Sequence, residues 1–369
     1  MAENNQVAAP AEGEYQMKMG LGAIAMFISA TGMGCVPLFS RWATRVDMFD
    51  ATQGLAAGDS IGALMACGRM GMGILTFVAI VLITHKVETF KKLKLSPAIA
   101  LGGLMIGMSL ACYVTSTLLT TVANAVLLIY IGPVVCIILA RIFRKEPVSA
   151  LQWGCLVLVF VGQLFGNGLI GFGENGFGVY LDMSTATEEF PLKIVGDAFG
   201  LASGFFYGAS MFFNGYRKDA DTAARGVYNF IFATLGAAVI TVILNSLGSI
   251  DGMENWALNI QFDTWNWIGA VLLWIVCGPL ALGFLLVAGR NLPAAEYGII
   301  AYWEIPVALV VGIAVYGEAL TINTILGCAL VIIGGAYPAA TAMIAGRKQK
   351  AAEKLSADVA ARIEEEQAR

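Results

Sequence analysis

The sequence predicts an all-α integral membrane protein with ten transmembrane helices, arranged as two inverted five-helix repeats. Three observations predict it: too little charge for a soluble surface, continuous apolar runs of spanning length, and a motif pattern that recurs in the second half. Of 369 residues, 58% are hydrophobic and 13% charged, against roughly 25% charged in soluble domains. A span takes about 20 mostly apolar residues, so this chain can furnish about ten. Water-soluble enzymes, nucleic-acid binders and disordered chains are excluded by that arithmetic. The 43 glycines suit helices packed closely through small residues. A β-barrel would alternate apolar with polar, whereas these runs are unbroken.

The N-terminal tail, 1–18, is polar and weakly acidic, without the basic start of a secretory signal. Ten runs follow, at 19–40, 60–83, 97–118, 121–141, 150–171, 194–215, 226–247, 266–288, 294–316 and 322–344. The domain reading is a first repeat over 19–171, an outer loop 172–193, a second repeat 194–344 and a helical tail 345–369. The loops 172–193 and 248–265 are acidic and rich in Gly and aromatics, and are read as lids or as ordinary solvated loops. With both ends on one side, eighteen of the 22 basic residues fall on that side. Arg41, Arg45 and Lys193 fall on the other, and Arg69 lies within a run. Basic loops stay cytoplasmic, so a multi-pass cell-membrane protein with both termini cytoplasmic is expected.

The seven cysteines all lie inside apolar runs without a CxxC pair, and His85 is the single histidine. Neither a metal site nor a catalytic triad can be assembled from them. A Walker sequence is absent from the chain, and no cofactor is expected.

The chain repeats itself. AVLLIYIGPVV, from Ala125, aligns with GIIAYWEIPVA, from Gly298, and sets Pro133 on Pro306. At the same offset GCLVLVFVG, from Gly154, falls on GCALVIIGG, from Gly327. Glu146 and Glu318 lie between the markers, one position out of step. Five spans per unit force the second unit to enter from the opposite side, a transporter signature with its site near the midplane.

On these segments the chain resembles the drug/metabolite transporter superfamily, in its ten-helix EamA branch. GDAFGLASGFFYGASMFFNGYRK is similar to that family's sixth helix, opening on Gly196 and Asp197. The stretch from Gly278 to Tyr337 is similar to its eighth to tenth helices, with Gly317-Glu318 after the ninth. Glu304, Pro306 and Val307 depart from the commoner Glu-Pro-Val by an inserted isoleucine, and Arg144 to Glu146 replace the usual Gly-Glu. Arg69 and the stretch Asn124 to Pro133 fit the first half.

Within the spans, Arg69, Glu296 and Glu304 are ionisable. Charge in hydrocarbon is costly, so such groups should face protein or a water-filled cavity. Glu304 lies near the midplane, Arg69 within reach of it, and Glu296 near the inner interface. Arg69 is read as the partner of Glu304, as an anchor for a substrate carboxylate, or as bound to backbone carbonyls. Ser109, Tyr113, Ser116, Thr117 and Thr120 share one helical face, as do Ser203, Tyr207, Ser210 and Asn214. These stripes either line a cavity or bond back to their own helix. Tyr130, Tyr302 and Trp303 flank the aligned prolines. A proline inside a span removes one backbone bond and bends the helix, and symmetry favours Pro133 and Pro306 over Pro279 as hinges.

The resemblance implies that the third, fourth, eighth and ninth helices line the cavity. The substrate-binding set is then Glu304, Arg69, Tyr113, Ser116, Thr117, Thr120, Asn124, Tyr130, Tyr302, Trp303 and Tyr207. It further implies a secondary transporter exporting amino acids or related metabolites, driven by protons, and not an enzyme. The expected partners are a small-molecule substrate, protons and the lipid bilayer, with no nucleic acid; a homodimer is left open. The alternatives are a nucleotide-sugar or phosphate-ester antiporter, a channel, or a membrane-bound enzyme.

Overall fold

In hydrocarbon a backbone must satisfy its own hydrogen bonds, and a continuous apolar run can do so as an α-helix. A computed structural model describes residues 17–44, 61–120, 122–173, 176–180, 192–249, 263–316 and 320–367. The helices are α1 (Met19–Gly34), α2 (Val36–Thr44), α3 (Ile61–Ile83), the short α4 (Val87–Lys92), α5 (Pro97–Leu119), α6 (Val122–Ile129), α7 (Ile131–Phe143) and α8 (Ala150–Gly166). After a β-hairpin come α9 (Lys193–Asn214), α10 (Thr222–Leu247), α11 (Thr264–Ile275), α12 (Ala281–Asn291), α13 (Ala294–Ala301), α14 (Glu304–Tyr316) and α15 (Ile322–Gln367). Eight described segments are long and apolar enough to cross a membrane. Leu75, Leu82, Ile142, Val242 and Ile333 are each more than half exposed. Water would not tolerate so much uncovered apolar surface; lipid does. This is the make-up of a helical membrane protein.

Of the ten apolar runs, two fall short of that measure. α8 has 17 residues. The fifth run was expected to stay helical to 171, but Asn167 caps α8 and Gly168 turns left-handed at φ +69°. Beyond it, β1 (Ile170–Gly173) pairs antiparallel with β2 (Gly176–Val179). α9 is long enough, yet Gly196, Gly200, Gly204 and Gly208 recur every fourth residue and dilute its hydropathy. The stripe lets α9 approach α5, α6 and α7 closely. A Cβ on Gly208 would strike Val135 and the Gly132 carbonyl.

Four runs are broken. α1 gives way to α2 at Cys35, and α6 to α7 at Tyr130. α13 stops before Tyr302 and Trp303, and α14 restarts at Glu304. Pro133 and Pro306 are each the third residue of the restarted helix, where the ring would clash with the carbonyl four residues back. Between α11 and α12 a π-helical turn, Val276–Leu280, holds Pro279, and Gly278 leaves helical geometry at ψ −108°. The last run and the expected tail form one 46-residue helix, α15, with Pro338 inside it.

In the bundle α5 packs against α9 and α10, α10 against α3, α8 against α15, α1 against α12, and α7 against α9 and α13. The two Gly-Cys segments of the repeat lie on each other through Gly162 and Gly327. Gln349 Nε2 donates to the Met17 carbonyl at 2.8 Å, and the Lys18 amide donates to Asn291 Oδ1 at 3.0 Å. Met17, Lys18, Asn291 and Gln349 therefore meet at one end of the bundle, the terminal end. Most of both acidic loops, together with Gly317 and Glu318, lies outside the described residues.

Candidate functional site

A cavity of about 170 Å³ lies among α1, α2, α3, α5, α6, α9 and α14. Its polar lining includes Glu304, Arg69, Tyr113, Tyr130, Tyr207 and Asn167. The rest is apolar, from Met33 and Leu38 to Leu110, Val126 and Leu309. Asn167 follows the end of α8 remote from Ala150, and Leu38 and Gly312 lie further along their runs than Met33 and Glu304, so the cavity extends toward the end of the bundle away from Met17 and Ala294.

Glu304 owes its position to the break in the ninth run. It opens α14 directly after the break, where the Ile305 amide bonds to the Tyr302 carbonyl at 3.0 Å and Pro306 has no amide to donate. From Ala294 it is ten residues along the axis, about 15 Å at 1.5 Å per residue, or half of a roughly 30 Å hydrocarbon core. Tyr130 lines the same cavity beside it. Tyr130 comes from the matching break between α6 and α7. The two breaks meet: the Tyr130 and Tyr302 rings stack with centroids 5.5 Å apart, and the Tyr302 hydroxyl donates to the Tyr130 carbonyl at 2.7 Å.

Arg69, from α3, borders the same cavity but is anchored elsewhere. Its Nε donates to the Cys277 carbonyl in the π-helical turn, and its Nη2 approaches Met33 Sδ at 2.8 Å. The ion pairs among the described residues do not include one between Arg69 and Glu304.

The other predicted residues lie off this cavity. Thr117 bonds back to the Val114 carbonyl at 2.7 Å, and Thr120 donates to Asp197 Oδ1 at 2.7 Å. Ser116 and Asn124 are buried nearby, outside the lining. Tyr302 is fully buried behind Tyr130. Trp303 packs edge-on against Phe27, donates to Thr31 Oγ1 at 3.3 Å, and borders a separate apolar crevice with Ile300 and Gly335. The polar stripes of the third and sixth runs largely face each other. Ser109 donates to the Ser203 carbonyl at 2.9 Å, and Ser210 to the Gly102 carbonyl at 2.7 Å. Asn167 and Met33 were missed. An Asn-Gly pair closing an apolar run is a helix-end signal that would have flagged Asn167; Met33 carries no such mark.

The terminal end is rich in charge. Lys86 pairs with Asp221 at 2.7 Å, and Asp221 caps α10 by accepting from the Ala223 and Ala224 amides. Burial pushes the Asp221 carboxyl up, but the Lys86 ammonium and those amides outweigh it and hold it below its ordinary range. Burial depresses the Lys218 ammonium. Arg225 is 2% exposed and donates to the carbonyls of Asn214, at the end of α9, and of Tyr216 just beyond it.

No protein-family model and no curated protein matches this chain. Among solved structures, one crystal structure of a protein superposes with a TM-score of 0.64 at 16% identity. The match covers 89% of this chain and 98% of that one. At that identity the likeness concerns the fold alone.

Proposed function

We propose that this chain is a secondary transporter of small metabolites, amino acids foremost, working by alternating access in the cell membrane with both termini cytoplasmic. In this reading the ten runs are ten spans forming two inverted repeats, as in the EamA-type transporters that the sequence resembles. The observation that carries the reading is Glu304: a carboxylate at mid-depth, on a broken helix, in a cavity that lies toward one end of the bundle. A discontinuous helix at the midplane is where such transporters bind substrate and coupling ions. Glu304 would take the proton or a substrate ammonium; Arg69 would hold a carboxylate; Tyr113, Tyr130 and Tyr207 would wall the pocket.

The packing supports a repeat as well. Exchanging the five runs of one half for those of the other maps the contacts of α3 with α10, α7 with α13 and α8 with α15 onto themselves. It trades α5 with α9 for α12 with α1. The volume favours a small metabolite over a nucleotide sugar, since about 170 Å³ is below the roughly 300 Å³ at which drug-sized pockets begin.

The test uses purified protein in liposomes loaded with labelled amino acids. An imposed pH gradient should drive release of at least one of them above the protein-free rate. Glu304→Gln should cut the gradient-driven rate by about tenfold or more, as expected for an intramembrane proton site, with the melting temperature kept. Wild-type gradient-driven rates in the folded variant would overturn the assignment.

A further inference from the structure

The terminal end of the bundle is held by groups that the cavity does not use. α13 begins behind Pro293, which offers no side-chain cap, yet its first amides need acceptors. Glu146, in the loop after α7, provides one from the other half of the chain: its Oε2 accepts from the Ala294 amide at 2.9 Å. A few residues on, Ser149 and Gln152 form the capping box that starts α8. The Gln152 amide also donates from Nε2 to Glu296 Oε1 at 2.9 Å. Glu296 is 7% exposed, and its Oε2 is buried without a partner among the described residues. Arg144 pairs with Glu146 at 3.3 Å and lies over the rings of Phe212 and Tyr216 at the end of α9. One short segment of the first half, 144–152, thus grips the second half at two helix ends.

We propose that segment 144–152 is a latch: its bonds to Ala294 and Glu296 keep the cavity closed toward the terminal end, and their release opens it there. The inference rests on the alternating-access reading above. Single hydrogen bonds exchange cheaply, and these two fix the start of α13, which is otherwise buried against α1, α7 and α15. The bonds also join the fifth and ninth runs, which belong to different repeats and would have to part if the repeats rock against each other. At the far end, the cavity borders Leu38, Asn167 and Gly312 instead.

Cys136 is a native reporter. It is fully buried on α7, about two turns before Arg144 at the end of that helix. With the other six cysteines replaced by alanine, its rate of reaction with N-ethylmaleimide measures opening at the latch. Gln152→Glu keeps the capping box, where glutamate serves as well as glutamine, but turns a carboxylate onto Glu296. Labelling of Cys136 should quicken by about tenfold, the factor that one such hydrogen bond carries. Adding Glu296→Gln exchanges donor and acceptor and should restore the slow rate, which an unfolded protein could not do. An unchanged rate in Gln152→Glu, or a fast rate that the exchange fails to reverse, overturns the latch. A parallel chain with Ala308→Cys as its one cysteine reports the cavity from the far side. Alternating access requires that label to slow when the latch opens. A fast, reversible Cys136 with an unmoved Ala308→Cys keeps the latch and sinks the transport reading alone.

Discussion

At the residue scale, Arg69 is a wedge between elements. Its fork reaches the Cys277 carbonyl, in the π-helical turn, and Met33 on α1. A lysine carries the same charge but no fork, and cannot serve two acceptors set in different directions. Arg69→Lys should therefore lower unfolding stability in detergent by about 1–3 kcal/mol, the range for leaving a buried acceptor unmet. Denaturation midpoints equal to the wild type would mean that the arginine's directed donors hold nothing. The sequence made Arg69 conspicuous, because a cation in an apolar run must be explained. It could not supply the partners. The Cys277 carbonyl is presented by a turn where Gly278 leaves helical geometry and lies close against Arg69 of α3.

At the element scale, the half-helices decide where chemistry can sit. Pro133 and Pro306 were legible as paired interruptions because their absent amides and ring clashes follow from residue type. The π-helical turn at Pro279 was legible only as a bend. The two stripes divide for a physical reason: Tyr113 and Tyr207 line the cavity, while a polar face on a buried helix otherwise meets whichever helix packs there, and α9 brings its own serines to α5. Pro133→Ala and Pro306→Ala each restore a donor and should leave the melting temperature unchanged or raised while slowing turnover. Because the repeats are read as inverted, the two changes should bias the cavity oppositely. With Ala308→Cys as reporter, one substitution should raise far-side labelling and the other lower it. A shift in the same direction for both, or normal transport in both, would return these prolines to the class of tolerated breaks.

At the scale of the whole molecule, composition and charge carried most of what could be read. Run lengths alone anticipated the bounds of α3, α5 and α10 to within a few residues. The glycine stripe of α9 hid that run from a hydropathy measure, although its spacing was in plain sight. The basic asymmetry bears on orientation, which helix positions by themselves leave open. Met17 and Gln349 meet at one end, so any even number of crossings satisfies the chain. If the eighteen-to-three excess sets the orientation, that end faces the cytoplasm. Single cysteines at positions 182 and 255, in the two acidic loops, should then react with an impermeant thiol reagent in intact cells, and one at position 350 should react only after permeabilisation. The reverse pattern would invert the molecule, put the cavity on the cytoplasmic side and turn the proposed latch toward the outside.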